Sequence, residues 1–321
     1  MKAAVVQNFL SPPVYTDFAQ PEAAADEVLV RVRTSALSQL ARLQASGKHY
    51  SSGVPPLVPG VDGVGYLQDG QRVYFAFPRM PWGAMAQQTV VSRANYVTVP
   101  DDVDDVTAAA IANPGMSSWV ALTSRAQMRA GETVLINGAA GASGRLAISI
   151  ARHLGAGRII ATARNPDCFA DLSSLGADQI IPLNVPTSEL RTHFLDAIHV
   201  QNCSVVLDYL WGPSAEVFLQ AAGEYAGGSA QPRIRFVQIG SIAGKDITLP
   251  GSLLRSSGVE LMGSGLGSVS HANIVGAAGQ VFQAINTAKL SIRTETCDLA
   301  DVQQAWQRET SARLVFNVEQ E

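Results

Sequence analysis

With 321 residues the chain is long enough for two domains, and a composition of 47% hydrophobic and 16% charged residues suits a globular protein with a substantial core. A net charge of −4 leaves no electrostatic footprint for nucleic acid or an anionic membrane surface. Cys168, Cys203 and Cys297, odd in number and scattered, argue against a disulfide framework and fit a reducing compartment, so the expectation is a cytoplasmic protein.

No apolar run approaches the roughly 20 residues of a membrane helix. The opening MKAAVVQNFL lacks a signal-peptide cleavage pattern and reads as a first strand. Up to about residue 112 the chain is rich in strands and turns. Lys2 to Val6, Glu27 to Arg33, Gly63 to Leu67, Arg72 to Ala76 and Met85 to Val91 read as short strands. Pro12-Pro13, the Pro55–Gly60 segment, Asp69-Gly70 and Pro81–Gly83 separate them. The alternation in Val28-Leu29-Val30-Arg31-Val32-Arg33 is that of a barrel wall. One helix is expected from about Thr107 and a second around Ser117–Ala126.

From Gly131 to Pro166 the pattern changes. An apolar run from Thr133 to Ile136 reads as a buried parallel strand. Gly138, Gly141 and Gly144 follow, then an amphipathic helix with Leu146, Ile148, Ile150 and Leu154, then a second β-branched run, Arg158 to Thr162. Strand, glycine turn, helix and strand form one βαβ unit that brings backbone amides and a helix N-terminus to a pyrophosphate. The alternation repeats with strands at Asp178–Leu183, Ser204–Asp208, Arg233–Ile239 and Val259–Gly263, separated by helices near 166–174, 188–199 and 213–222. This predicts an α/β domain with a doubly wound, mostly parallel sheet. A long helix from His271 to about Ala288 leaves that domain. A tail helix with Leu299, Val302, Ala305 and Trp306 on one face and a strand from Arg313 to Val318 are expected to return to the N-terminal domain.

Three local motifs resemble the medium-chain dehydrogenase/reductase superfamily in its zinc-independent, quinone-oxidoreductase-like branch. They are Ala139-Ala140-Gly141-Ala142-Ser143-Gly144, Val58-Pro59-Gly60-Val61-Asp62-Gly63-Val64-Gly65 and Asn113-Pro114-Gly115-Met116-Ser117-Ser118. The resemblance covers essentially the whole chain. It implies a discontinuous GroES-like β-barrel domain, residues 1–115 with 289–321, for substrate and catalysis. It implies a Rossmann NADP-binding domain at 116–288, and a homodimer joined through the sheet edge near Val259–Gly263. Several positions depart from the family pattern. Val61-Asp62 stands where zinc-dependent members carry His-Glu, no cysteine precedes Cys168, and the metal ligands zinc needs are missing. Ser38 and Ala41 replace the Asn and Asp of the quinone reductase pattern, and Ala312-Arg313 replaces Gly-Lys.

On the cofactor side, the candidates in the glycine turn are Gly138, Ala139, Ala140, Gly141, Ala142, Ser143, Gly144 and Arg145. Arg164 ends the second strand, where an NAD site offers a carboxylate; no Asp or Glu occurs between Glu132 and Asp167, while Arg145, Arg152, Arg158 and Arg164 do. A guanidinium there suits the 2′-phosphate of NADPH, with Asn165 as a neutral donor; the alternative is a solvated surface arginine. By resemblance Asn113, Ser117, Leu210, Gly240, Ser241 and Gly263-Ser264-Gly265 line the cofactor cleft. Leu210, Ser241 and Gly263-Ser264-Gly265 each also read as an ordinary turn. Tyr50 and Ser38 are the catalytic candidates, with Tyr50 a possible proton donor or oxyanion partner, against a packing role. His49 reads as exposed. Asp62 reads as a hydrogen-bonded turn residue rather than a general base.

Together these readings predict an NADPH-dependent, zinc-independent reductase of quinones or α,β-unsaturated carbonyl compounds, acting on a small molecule with no nucleic-acid or membrane partner. The alternatives are an acyl-thioester enoyl reductase and a low-turnover NADPH-binding sensor or structural protein.

Overall fold

The computed structural model describes residues 1–224 and 231–318, and the chain divides into two compact units. The first comprises Met1–Asn113, His271–Ile285 and the tail from Ser291; the second comprises Pro114–Ser270 and Asn286–Leu290. The final residues of the expected 289–321 segment, 319–321, lie outside the described residues.

The first unit begins with β1 (Lys2–Val5), β2 (Val14–Asp17) and β3 (Glu27–Ala36). Helix α1 (Gln39–Ala45), β4 (Asp62–Tyr66), β5 (Arg72–Ala76), β6 (Gln88–Ser92) and β7 (Tyr96–Thr98) follow. Ten residues long, β3 is the hub, because one strand pairs antiparallel with both β4 and β6. Val30 and Val32 are buried while Arg31 between them is exposed, as the alternation predicts.

Asp105–Val120 then forms a single helix, α2, followed by a π-helical turn at Ala121–Arg125. Here the structure corrects the sequence reading, which expected one helix from about Thr107 and a second around Ser117–Ala126. Burial of Ala108 to Ala112 before the proline, and of Met116 and Trp119 after it, outweighs the local turn signal. The two compact units divide within this helix.

The second unit contains β8 (Thr133–Asn137), α3 (Ala142–His153), β9 (Arg158–Ala163), a 3-10 turn at Pro166–Cys168, α4 (Phe169–Ser174) and β10 (Gln179–Pro182). It continues with α5 (Thr187–His199), β11 (Cys203–Asp208), α6 (Gly212–Ala222), β12 (Arg233–Gln238), α7 (Gly251–Ser256) and β13 (Gly258–Gly263). All pairings are parallel, in the order β10-β9-β8-β11-β12-β13. Connections reverse direction between β8 and β11, which is where ligands collect in such sheets. Every residue of β8 is buried, so its sequence is a continuous run rather than an alternating one. Phe194, Phe218 and Phe236 form the aromatic centre of one face.

The chain closes with α8 (His271–Ala284), β14 (Thr294–Asp298), α9 (Val302–Ala305) and β15 (Arg313–Asn317). Leu299, Val302, Ala305, Leu314 and Phe316 join Val30, Val32, Val73 and Phe75 in one core. β15 adds to β3, giving the sheet order β14-β15-β3-β4-β5-β7 with β6 on β3. The architecture is a GroES-like barrel plus a Rossmann doubly wound sheet. Helix α8 groups with the first unit rather than with residues 116–288, where the sequence analysis put it. The side chain of Phe282 meets Tyr74 edge-on at 5.7 Å, and His271 stacks on Phe77 at 4.2 Å.

Candidate functional site

The glycine turn joins β8 to α3 at the carboxyl end of the sheet. Its three glycines answer to different constraints. Gly138 has φ +90°, and a Cβ there would lie 2.8 Å from the Leu210 side chain. At Gly144 a Cβ would lie 2.5 Å from the Gly138 carbonyl oxygen and 2.6 Å from the Ala139 Cα, so this glycine lets the helix pack on the turn. Gly141 differs: its φ is −73°, and the nearest atom to a Cβ there is 3.8 Å away. Packing does not demand a glycine at 141. It caps α3 without a side-chain hydrogen bond, at a helix start whose first-turn amides, those of Ala142, Ser143 and Gly144, have no partner within the helix. Such a helix start, with a dipole favouring negative charge, fits a dinucleotide pyrophosphate. Ala139 is buried, Ala140 is exposed, and Arg145 pairs with Asp171 at 2.9 Å.

Arg164 stands one residue beyond β9, exposed, at the expected place. The Asn165 oxygen accepts from the Asp167 amide at 3.1 Å, so its side chain also caps the following 3-10 turn.

Beneath the turn lies a polar network that the sequence analysis missed. The Thr162 hydroxyl donates to Asn137 Oδ1 at 2.8 Å and accepts from the Gly138 amide at 3.0 Å. The Asn137 amide nitrogen donates to Asp208 Oδ1 at 2.8 Å and to Ser214 at 2.9 Å. Asp208 also accepts from the Leu210 and Trp211 amides at 3.1 Å. Burial raises the carboxyl of Asp208, opposed by those donors. A signal existed: an Asn and an Asp each close an otherwise apolar parallel strand, and buried polar groups need partners.

A second set missed by sequence reasoning centres on Ser118, fully buried on α2 next to the half-buried Ser117 named beforehand. Its hydroxyl lies 2.8 Å from the Tyr209 phenol, 3.0 Å from the Pro114 carbonyl and 3.2 Å from the Ser143 carbonyl. With one proton to give to a carbonyl, Ser118 accepts from Tyr209, whose burial pushes its pKa up and keeps it a donor.

Outside the ends of β12 and β13 a cavity of about 350 Å³ is lined by Trp211, Gln238, Ser241, Lys245 and Leu261–Gly263. Leu210 lies under Gly138, and Gly240 passes so close to Tyr209 that a Cβ would sit 2.6 Å from its carbonyl oxygen. Not all the backbone of Gly263-Ser264-Gly265 is available to a ligand. The Gly263 carbonyl accepts from Arg125 at 2.7 Å, the Ser264 amide donates to Gln238, and the Gly265 amide donates to Ser268.

In the first unit, Ser38 caps α1, its oxygen accepting from the Ala41 amide at 3.0 Å, and is 4% exposed. Tyr50 is 76% exposed and lies 4.1 Å from the His49 ring, whose pKa burial lowers. Asn113 donates to Asp62 Oδ1 at 3.2 Å. Asp62 is a fully buried strand residue rather than a loop turn, as the sequence analysis had it. Burial pushes its carboxyl up to about 6, against the pull of Arg313, Tyr74 and Asn113. Among the described residues no three His, Cys, Asp or Glu side chains gather where they could hold a metal ion, and no helix is long and apolar enough to cross a membrane.

No protein-family model matches the chain. It is similar to a probable NADPH-dependent quinone reductase of Emericella nidulans, 27% identical over 96% of this chain and 97% of that one. It is also similar to a quinone oxidoreductase of Pseudomonas aeruginosa, 27% identical over 72% of this chain and 70% of the relative. Among solved structures, the quinone oxidoreductase of Thermus thermophilus, described also in complex with NADPH, matches with a TM-score of 0.78. It is 25% identical, covering 99% of this chain and 100% of that one.

Proposed function

We propose, for a chain that belongs to the quinone-oxidoreductase-like branch of the medium-chain dehydrogenase/reductase superfamily, an NADPH-dependent reduction of quinones or α,β-unsaturated carbonyl compounds by hydride transfer, carried out without zinc. The observation that carries this reading is Gly141: a glycine required neither by φ nor by packing, at the uncapped start of a helix above a parallel sheet. Space at that point serves a ligand's approach. The similarity to a probable NADPH-dependent quinone reductase along nearly the whole length supports the choice of cofactor and reaction.

The first-turn amides of α3 would hold the pyrophosphate. Arg164 and Asn165 would meet the 2′-phosphate, and Arg145, in the first turn of α3 and paired with Asp171, would share its charge. Ser241, Gly240, Leu210 and the apolar wall of Trp211, Leu261 and Met262 would position the nicotinamide end. NADPH, when bound, supplies the hydride that a quinone or the β-carbon of an enone accepts. Hydroxyl donors stabilise the oxygen on which negative charge develops. Water returns the proton at this open position, where Tyr50 is 76% exposed, while the Ser38 oxygen serves α1 as acceptor of the Ala41 amide.

The replacement of the family's Asn and Asp by Ser38 and Ala41 also favours a second reading, an NADPH-binding sensor with little turnover. NADPH oxidation against a panel of quinones and enones, with and without chelator, separates the two. Turnover unaffected by chelator supports the reductase; NADPH binding without turnover on any acceptor supports the sensor.

A further inference from the structure

We propose that Asn137 is a positioning residue for the dinucleotide, its side-chain amide joining the glycine turn to the Leu210–Trp211 loop so that the two stretches keep one arrangement. The proposal rests on the cofactor reading above and adds to it a residue outside the glycine motif.

Asn137 ends β8, one residue before the turn, and is 2% exposed. Its two amide atoms face different partners. On one side the oxygen accepts from Thr162, whose hydroxyl in turn accepts the Gly138 amide. On the other the nitrogen donates to Asp208, whose carboxylate holds the amides of Leu210 and Trp211. An unbroken chain of hydrogen bonds therefore runs from the Gly138 backbone, across the point where the sheet reverses direction, to the loop after β11. Only a side chain with an acceptor and a donor at this spacing serves both neighbours. A carboxylate at 137 would face Asp208 with like charge, and an aliphatic group would leave the Thr162 hydroxyl proton without its acceptor and remove one of the three donors on Asp208 Oδ1.

Two independent features tie the same segments together. Leu210 fills the space beneath Gly138 where a Cβ would sit. Trp211 has φ +57° and ψ −157°, a conformation that L-residues rarely adopt, and its amide is held by both Asp208 carboxylate oxygens. A strained residue at the wall of the 350 Å³ cavity persists only where its surroundings impose it, and Asp208 does so while bonded to Asn137.

The test uses the full chain and compares Thr162→Val, which keeps the shape and removes the hydroxyl, with Thr162→Ser, which restores it. Hydrogen exchange in the free protein is read over segments 138–144 and 209–213, and the NADPH dissociation constant by fluorescence titration. The expected result for Thr162→Val is exchange at least about threefold faster in both segments and NADPH binding weakened about five- to twentyfold, with Thr162→Ser close to wild type. Faster exchange confined to 138–144, or a serine variant as impaired as the valine, overturns the link. Should Thr162→Val not fold, Asp208→Asn reads the chain from its far end, and unchanged exchange at 138–144 in that variant overturns it equally. If the wild-type protein binds no NADPH, the cofactor reading fails while the exchange pattern still decides whether Asn137 joins the two segments.

Discussion

The Tyr74 phenol donates to Asp62 Oδ2 across 3.1 Å between the adjacent strands β5 and β4, inside the first unit and without contact with solvent. Burial outweighs this bond, the Asn113 amide and the Arg313 charge, and lifts the carboxyl from 3.8 to about 6. A folded value above the unfolded one means that the contribution to stability is full below about pH 4 and is lost as pH rises through about 6. The shift corresponds to about 3 kcal/mol. Urea unfolding between pH 4 and 7 should therefore show wild type losing up to about that much relative to Asp62→Asn. A difference independent of pH contradicts the account.

The division between legible and hidden features follows from physical range. Strands of the second unit declare themselves because they are buried on both faces, so β8 or β11 is an apolar run needing no knowledge of its neighbours. The glycine turn is equally local. Helix α1 escaped although its cap, Ser38, is present, because seven residues give too little periodicity to stand out. Pairings over distance are harder still. Asn137 and Asp208 are 71 residues apart, Ser118 and Tyr209 are 91 apart, and no spacing rule joins them. Likewise, nothing in the amphipathic pattern of α8 says that its Phe282 will meet Tyr74.

Ser38 offers a direct contrast between a structural and a chemical role. Removing the cap from α1 by Ser38→Ala should cost about 1 kcal/mol in unfolding free energy while leaving the KM for NADPH unchanged. Tyr50→Phe should leave kcat within about twofold, since water returns the proton. A loss of tenfold or more in kcat for the tyrosine variant would assign the proton to Tyr50 instead.

Strand β13 is the edge of the six-stranded sheet, pairing with β12, and Leu261 on it is 37% exposed. An apolar edge invites pairing with a second copy. Light scattering at micromolar concentration should report a dimer, and Leu261→Lys a shift toward monomer. A wild-type monomer under those conditions rejects the interface.

Arg164 makes a prediction about cofactor choice. The two cofactors differ by the 2′-phosphate, and one hydrogen bond to a charged group contributes roughly 1.5–3 kcal/mol. Arg164→Ala should raise the KM for NADPH about tenfold and leave that for NADH nearly unchanged. Arg145→Ala, whose guanidinium already pairs with Asp171, should do less. An equal shift for both cofactors would make Arg164 a scaffold residue.

The most direct test of the account compares NADPH affinity and thermal unfolding for Gly141→Ala and Gly144→Ala. A Cβ at 144 would collide with the Gly138 oxygen at 2.5 Å, whereas one at 141 meets nothing nearer than 3.8 Å. Gly144→Ala is expected to unfold at a clearly lower temperature. Gly141→Ala is expected to melt like wild type yet bind NADPH about tenfold or more weakly, because the methyl group enters the space kept for the phosphates. A Gly141→Ala protein that melts normally and binds NADPH as tightly as wild type would contradict it.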